Sequence, residues 1–387
     1  MALAFTFSTV PVIISAPGAI ARLGELASAR LGKRVMIVSD AGLVRLGIVR
    51  RALVSLQMAG METDVFDAVE ADPPEACVLA AVAAARAFNA TGIVGLGGGS
   101  SLDVAKLCAL LARTPQPLSA TYGVGKASGP RLPLILAPTT AGTGSEATAV
   151  AVATTTGADK MGAVSPLLFA DVALLDPELT LGLPGAVTAA TGIDAMVHAI
   201  EAFTSINPNN SPASRALARE ALRLLGGSIR TVFVDGSNIA AREAMLNGSL
   251  LAGMAFANAS VGAIHALAYP LGGHYHLPHG LTNALVMIDV MRFNAHVCAA
   301  EYAELGRIVF NEASQGSDAD RATLFIDRLK QLSRDLGIPE SLRMAGVTED
   351  ALPLLATDAM KQTRLLVNNP RPVSLADALA IYRRAFA

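Results

Sequence analysis

A carboxylate and several imidazoles are spaced along this sequence in the way that the ligands of a metal ion would be. Asp194 and His198 are four positions apart in GIDAMVHAIEAF, so on a helix their side chains project from the same face. The neighbouring side chains on that helix are apolar, and an unpaired buried carboxylate carries a free-energy cost that a cation would remove. We therefore expect a cation beside Asp194.

Four of the six histidines lie between positions 265 and 279 and supply the candidates for the remaining ligands. His265 is predicted on a short helix, and His279 at the start of another. With the Asp and His of the earlier segment they complete a set of one carboxylate and three imidazoles, which suits Fe²⁺ or Zn²⁺. Spacing alone does not separate these two from His274 and His276, which are equally consistent with substrate binding, proton transfer or plain surface positions.

Two loops of small residues have the composition of a dinucleotide-binding site. The run Gly97-Gly98-Gly99-Ser100 stands between an apolar strand and a helix, where backbone N–H groups attract phosphate. This run differs from GxGxxG, so alone it indicates phosphate or pyrophosphate and no more. A second loop, PTTAGTGSE at 138–146, follows another core strand, at the end where open parallel sheets bind their ligands. Together the two loops favour a dinucleotide-binding site over the alternative, which is a pair of turns that bind no ligand.

The elements that carry these loops alternate between strand and helix over the first 185 residues. The N-terminus reads as a strand and a turn, and further apolar strands are predicted at 35–40, 63–66, 91–97, 132–137 and 172–176. With helices between them, the strands predict a parallel sheet covered on both faces. The segment 147–164 instead predicts a β-hairpin over the edge of the sheet, with a Gly-Ala-Asp turn.

After Pro184 the strand pattern ends and helical periodicity takes over. The predicted helical stretches are 186–204, 212–233, 238–257, 283–312 and 318–336. We therefore expect an α/β domain at 1–185, which would bind the dinucleotide, and an all-α domain at 186–387, which would bind the metal.

Composition excludes several classes of function. The 387 residues are 52% hydrophobic and 16% charged, which predicts a large core and a subunit interface. The 30 basic and 32 acidic residues form no run of one sign, which argues against nucleic acid or a membrane surface as partner. The distant cysteines Cys77, Cys108 and Cys298 favour a reducing compartment. Without a signal-peptide pattern or a run of about 20 apolar residues, the sequence predicts a soluble, cytoplasmic protein.

Four segments, in their order and separation, resemble the signature blocks of the iron-containing, or group III, alcohol dehydrogenases. They are GGGSSLDVAK (97–106), PTTAGTGSEAT (138–148), GIDAMVHAIEAF (192–203) and HALAYPLGGHYHLPHG (265–280). The C-terminal NNPRPVSLADALAIYRRAF is similar too, so the resemblance covers essentially the whole chain. It implies a Rossmann-like α/β domain and a helical domain with the dehydroquinate-synthase-like fold. It also implies a homodimer that transfers hydride between an alcohol and NAD.

Carried over by position, the resemblance implies a task for particular residues. The implied metal ligands are Asp194, His198, His265 and His279. The implied pyrophosphate site comprises Gly98, Gly99, Ser100 and Asp103, while Thr139, Thr140, Ser145 and Lys160 would line the adenosine and nicotinamide ends. Asp40, which ends the second strand, would accept hydrogen bonds from the ribose hydroxyls and repel a 2′-phosphate, favouring NAD over NADP. Its alternative role is that of a helix N-cap.

One position departs from the family pattern and leaves alternatives open. Many members carry a histidine near the substrate where this chain has Tyr269, so Tyr269 and His274 are the candidates for proton transfer beside the ligands. A tyrosine there also resembles the hydroxyacid–oxoacid transhydrogenases, which keep their nicotinamide bound. A dehydroquinate-synthase-like lyase would need basic side chains for a substrate phosphate, and the helical site blocks contain no Lys or Arg. A non-catalytic metal- or nucleotide-binding assembly protein is the remaining alternative.

Overall fold

The computed structural model describes residues 4–155, 160–311 and 315–387. The chain divides into two compact units, Ser8–Gly182 and Leu183–Ala387, and the second also includes the N-terminal residues 4–7. The first unit mixes strands with helices, and the second is built from helices. The Gly-Ala-Asp turn predicted at 157–159 lies outside the described residues.

The α/β unit contains a six-stranded sheet whose neighbouring strands are all parallel, in the order β1-β9-β6-β4-β2-β3. The strands of the whole α/β unit are β1 (Ile13–Ser15), β2 (Arg34–Val38), β3 (Glu62–Phe66), β4 (Gly92–Gly97), β5 (Gly123–Val124), β6 (Leu134–Pro138), β7 (Val150–Thr154), β8 (Lys160–Val164) and β9 (Val172–Leu175). Its helices are α1 (Leu23–Ala27), α2 (Ala41–Arg45), α3 (Ile48–Met58), α4 (Glu75–Ala87) and α5 (Gly99–Arg113). The predicted parallel sheet is confirmed.

Helices cover both faces of this sheet, as its continuous apolar strands require. Val35 and Ile37 of β2 pack in one cluster with Leu23 of α1 and Leu56 of α3. On the other face α5 lies against β4 and β6. A Cβ at Gly95 would lie only 2.7 Å from the Cβ of Ala105, so glycine at this position of β4 permits the close approach of α5.

The predicted hairpin forms, and it is part of a second sheet. Strands β7 and β8 pair antiparallel, and with the short β5 they make a separate three-stranded sheet in the order β5-β8-β7. Strand β7 packs against α5. The sequence did not reveal this second sheet, because the partner strand β5 is only two residues long and has no detectable sequence pattern. The placement of the hairpin over the edge of the main sheet stays a prediction.

The helical unit is organised around a long buried helix. Its helices are α6 (Gly185–Thr204), α7 (Pro212–Val234), α8 (Ile239–Ala259), α9 (Ala263–Tyr275), α10 (His279–Phe310), α11 (Asp318–Asp335), α12 (Leu352–Ala359), α13 (Thr363–Leu366) and α14 (Leu375–Phe386). Helix α6 packs against α7, α8 and α10. No single helix within the described residues is long and apolar enough to cross a membrane, and only α8 and α9, bent by 106° at their junction, pass that length and composition test as a pair.

Candidate functional site

Helix α6 carries three ionisable residues on one buried face. Asp194, His198 and Glu201 follow one another at spacings of four and three residues, and each is more than nine-tenths buried. The apolar side chains between them face the core of the unit, which is why the helix is buried along nearly its whole length. Such a helix must satisfy its polar groups with partners from neighbouring helices.

Those partners come from the first residues of α9 and α10. His265 is the third residue of α9, and His279 is the first residue of α10, directly after Pro278. A Cβ at Gly280 would lie 2.4 Å from the backbone oxygen of Ala190 in α6. Glycine at this position therefore allows the first turn of α10 to approach α6 closely enough to bring His279 near Asp194.

The predicted carboxylate and three imidazoles meet in one cluster. The ligand atoms of Asp194, His198, His265 and His279 all lie within 4.8 Å of one another. The Nε2 atoms of His265 and His279 are 3.9 and 3.8 Å from Asp194 Oδ1. Two atoms bound to one metal ion at about 2.1 Å lie no more than about 4.2 Å apart, and these two separations are within that limit. The donor set and its spacing fit Fe²⁺ or Zn²⁺.

The charge state of Asp194 also suits a cation. Burial is the largest influence on this carboxyl and raises its pKa, but His198, His279 and His265, with a hydrogen bond from Asn283, together outweigh it. The pKa of Asp194 therefore lies below its ordinary value. A carboxylate that stays ionised in a buried site is a ligand of the kind that a divalent metal needs.

Asn283, which the sequence analysis did not single out, lies among the same atoms. Its Nδ2 is 2.6 Å from Asp194 Oδ1, 3.2 Å from His265 Nε2 and 3.3 Å from His279 Nε2. Its buried Oδ1 accepts no hydrogen bond from the described residues. One amide nitrogen that reaches three acceptors shows that those acceptors converge. The sequence did contain a signal for Asn283, because it lies four residues after His279 on α10. It was not selected because an amide is not a typical metal ligand.

Glu201 is the second residue of the site that sequence reasoning missed. Its Oε2 accepts a hydrogen bond from Nδ1 of His265 at 2.6 Å, and its Oε1 accepts one from the backbone N–H of Ile264, also at 2.6 Å. The signal was present in the sequence, because Glu201 continues the one-face spacing of Asp194 and His198 along α6.

Two aromatic side chains line the cluster. Phe256 of α8 stacks on His198, with ring centroids 4.4 Å apart, and Tyr269 of α9 lies 5.9 Å from His279, centroid to centroid. His279 keeps 31% of its side chain exposed, whereas the Asp194 side chain is only 3% exposed. Water or a small molecule can therefore reach the cluster from the side of His279.

The structure separates the histidines that spacing alone could not. His274 and His276 are exposed residues at the end of α9, outside the cluster. His274 Nε2 is 2.6 Å from Asp358 Oδ2, and His276 has a left-handed backbone conformation that ends the helix. Of the residues predicted to be catalytic, His265, His279 and Tyr269 therefore come together, and His274 is paired elsewhere.

In the α/β unit, the two loops of small residues lie side by side at the ends of the neighbouring strands β4 and β6. The backbone N–H of Thr139 donates to the carbonyl of Gly97 at 2.9 Å. Gly97 has φ +156°, and a Cβ there or at Gly99 would lie 2.6 Å from Ser101 or 2.8 Å from Thr143. Packing thus requires these two glycines. Gly98 is the N-cap of α5 and no side chain caps this helix, so its first N–H groups carry the partial positive charge that attracts anions.

Behind these loops lies a fully buried lysine that sequence reasoning also missed. Lys106 Nζ donates to Ser145 Oγ at 2.8 Å, Thr148 Oγ1 at 3.0 Å and the carbonyl of Val150 at 2.7 Å. Ser145 in turn donates to Asp103 at 2.7 Å. Two residues predicted to contact the cofactor, Asp103 and Ser145, are therefore parts of a network that fixes the second loop. Burial lowers the pKa of Lys106 to about 8, although Asp103 and Glu146 oppose this.

Glu146 is a buried carboxyl within the same loop. It is 1% exposed, and its Oε1 accepts no hydrogen bond from the described residues. Burial raises its pKa to about 7, against the opposing effects of a backbone N–H and of Lys106. This group therefore titrates near neutrality.

Two further predicted cofactor residues have structural partners of their own. Asp40 is the N-cap of α2, and its Oδ1 accepts from the N–H of Leu43 at 3.1 Å, which is the alternative role that the sequence left open. Lys160 in β8 makes an ion pair with Asp72 at 2.6 Å. Of the remaining predicted residues, Ser100 is the second residue of α5, and Thr139 and Thr140 lie in the loop that follows β6.

Comparison with known proteins gives the family. Residues 11–177 match the family described as iron-containing alcohol dehydrogenase, and residues 188–386 match the C-terminal part of the same family. Long-chain-alcohol dehydrogenase 1 of Geobacillus thermodenitrificans is 41% identical over 363 residues, covering 92% of this chain and 91% of that protein.

Solved structures agree. A crystal structure of 1,3-propanediol oxidoreductase superposes with a TM-score of 0.96 at 37% identity, covering 99% of this chain and 100% of the other. Sulfoacetaldehyde reductase from Bifidobacterium kashiwanohense, solved in complex with NAD⁺, does so with a TM-score of 0.89 at 28% identity, covering 99% of each chain. The fold is therefore the dehydroquinate-synthase-like fold that was predicted. This chain belongs to the iron-containing alcohol dehydrogenase family.

Proposed function

We propose that this protein is a metal-dependent alcohol dehydrogenase that transfers hydride between an alcohol, or the corresponding aldehyde or ketone, and NAD(H). The observation that carries the proposal is the convergence of Asp194, His198, His265 and His279 within 4.8 Å. These four would hold Fe²⁺, or Zn²⁺, since the donor set accepts both. A divalent cation there would act as a Lewis acid on the substrate oxygen.

The residues around the cluster give this chemistry its setting. Asp194 stays ionised and balances the charge of the cation, while Phe256 covers one face of His198 and limits the access of water there. Tyr269 lies beside the partly exposed His279, so its hydroxyl is the candidate for orienting the substrate or passing on its proton. Hydride transfer itself is the chemistry of the nicotinamide.

For the cofactor, we propose that the N-terminus of α5 at Gly98, Gly99 and Ser100 binds the pyrophosphate. Thr139 and Thr140 would contact the rest of the dinucleotide, as would Lys160, while Asp103 and Ser145 would act through the second loop, to whose network they belong. Asp40 would disfavour the 2′-phosphate of NADP while it caps α2. We also propose a cytoplasmic homodimer, consistent with the apolar composition of the chain.

A single assay tests the proposal. Purified protein is supplied with NAD⁺ and a panel of alcohols, and NADH formation is followed before chelation, after chelation and after Fe²⁺ or Zn²⁺ is returned. We expect activity that chelation abolishes and metal restores. If His279→Ala kept both full metal content and full turnover, the metal-centred scheme would be wrong. Hydride exchange between a hydroxy acid and an oxo acid without added NAD would identify the transhydrogenase alternative suggested by Tyr269.

A further inference from the structure

Glu201 links helix α6, which carries Asp194 and His198, to helix α9, which carries His265. It lies on α6 with Asp194 and His198, and both of its carboxylate oxygens reach the first turn of α9. We propose that Glu201 is a positioning residue that fixes the tautomer and the orientation of His265 and so prepares the site for metal. This inference rests on the proposed metal site.

The chemistry of the imidazole gives the reason. A neutral histidine carries its proton on one ring nitrogen and a lone pair on the other, and only the lone pair binds metal. The carboxylate of Glu201 has no proton to donate, so the Nδ1 of His265, at 2.6 Å, must be the protonated nitrogen. The lone pair of His265 then lies on Nε2, the atom that faces Asp194 at 3.9 Å.

Among ordinary side chains, only a carboxylate can accept a hydrogen bond from the imidazole with one oxygen and cap the helix with the other. Glu201 accepts two N–H bonds at once, one from His265 and one from the backbone of Ile264, and only 6% of the residue is exposed. The negative charge also lies at the positive end of the α9 dipole. One side chain thus sets both the position of the α9 backbone and the rotation of the ring that it carries.

Helix capping alone does not account for this arrangement, because α9 has a second cap. The Oδ1 of Asn369 accepts from the backbone N–H of Ala263 at 3.3 Å. Loss of one cap would still leave the other. The second oxygen of Glu201, Oε2, does not cap the helix, because its hydrogen bond is with the imidazole of His265.

The substitution Glu201→Gln separates the two roles. Glutamine has nearly the same shape but offers one oxygen and one NH₂ group, so it cannot accept from both N–H groups. If its oxygen keeps the cap at Ile264, its NH₂ faces His265 and favours the tautomer with the proton on Nε2. If its oxygen faces His265, two N–H donors meet at the cap. Either arrangement opposes the metal-binding form of the ring.

The experiment is a Zn²⁺ titration in competition with a chromogenic chelator, on the unaltered chain, Glu201→Gln and Asn369→Ala. We expect Glu201→Gln to weaken Zn²⁺ binding by about 10–100-fold, the usual effect of removing the partner of a metal-bound histidine. Its metal-free form should unfold within a few degrees of the unaltered metal-free chain. Asn369→Ala should lower the unfolding temperature yet change Zn²⁺ affinity by less than about threefold.

Each outcome decides a separate question. Equal Zn²⁺ affinity of Glu201→Gln and the unaltered chain would overturn the role of Glu201 alone. Equal weakening by Asn369→Ala would also overturn it, because anchoring of α9 would then be sufficient. Failure of the unaltered chain to bind Zn²⁺ would overturn the proposed metal site itself. Glu146→Gln, a buried Glu-to-Gln change in the α/β unit, is the matched control and should bind Zn²⁺ as the unaltered chain does.

Discussion

The buried carboxyl of Glu146 makes a prediction about stability and pH. Its pKa is raised by burial from an ordinary value of 4.5 to about 7. The folded state therefore binds a proton more tightly than the unfolded state does. Between pH 4.5 and about pH 7 the folded chain holds more protons, so the free energy of unfolding falls as the pH rises through this window. This is the reverse of the behaviour of a carboxylate in a salt bridge.

The size of the effect follows from the pKa values. A rise in pKa from 4.5 to about 7, at about 1.4 kcal/mol for each pH unit, corresponds to about 3.5 kcal/mol. Glu146→Gln puts a neutral group of the same shape at this position. We therefore expect the variant to gain stability relative to the unaltered chain by up to about 3 kcal/mol between pH 5 and pH 8.

The assay is denaturant unfolding followed by far-UV circular dichroism at pH 5 and pH 8, since the chain has no tryptophan to report by fluorescence. The control is Glu25→Gln in the same unit. A hydrogen bond from Arg22 lowers the pKa of Glu25, so this carboxylate stabilises the folded chain above about pH 4.5, and Glu25→Gln should show nearly the same small loss of stability at pH 5 and at pH 8. A stability difference for Glu146→Gln that is the same at both pH values would refute the reasoning.

Three further predictions concern the cofactor loops and the cluster. Asp40→Asn keeps the cap of α2 but removes the charge, so the ratio of kcat/KM for NADP to that for NAD should rise several-fold; an unchanged ratio would exclude a role at the ribose. Lys106→Met leaves a set of buried oxygens without their donor and should cost about 3–5 kcal/mol by chemical unfolding, and a loss below about 1 kcal/mol would contradict this. Gly280→Ala forces a Cβ against the backbone of Ala190 and should cost about 1–3 kcal/mol and weaken Zn²⁺ binding. Gly273→Ala, where a Cβ would meet nothing within 4 Å, is its control and should do neither.

Much of the fold could be predicted because its signals are local. Continuous apolar strands such as β2 and β4 alternate with helices, and that alternation leaves a parallel sheet as the simplest arrangement. The long helices of the second half showed their periodicity and their ends in the sequence. The two-residue strand β5 carried no such signal, which is why the separate three-stranded sheet was not predicted.

Site residues could be predicted where their type and spacing suggest metal binding, but not where the choice depends on how the helices pack. Asp194 and His198 could be paired by helical spacing, but choosing His265 and His279 over His274 and His276 by geometry depended on how α9 and α10 approach α6. Resemblance to the family had supplied that choice in advance.

The supporting residues were missed for a different reason. Glu201, Asn283 and Lys106 act through hydrogen bonds that cross between elements far apart in sequence. A sequence shows which groups are polar, but it does not show which of them are buried. Burial is what makes the partners of these three residues necessary.

The central claim is that Asp194 and three histidines hold one divalent metal ion. The most direct test measures the metal content of the purified chain beside that of Asp194→Ala, with circular dichroism to verify that both are folded. We predict close to one equivalent of iron or zinc in the unaltered chain and almost none in the variant. Full metal content in folded Asp194→Ala would contradict the claim.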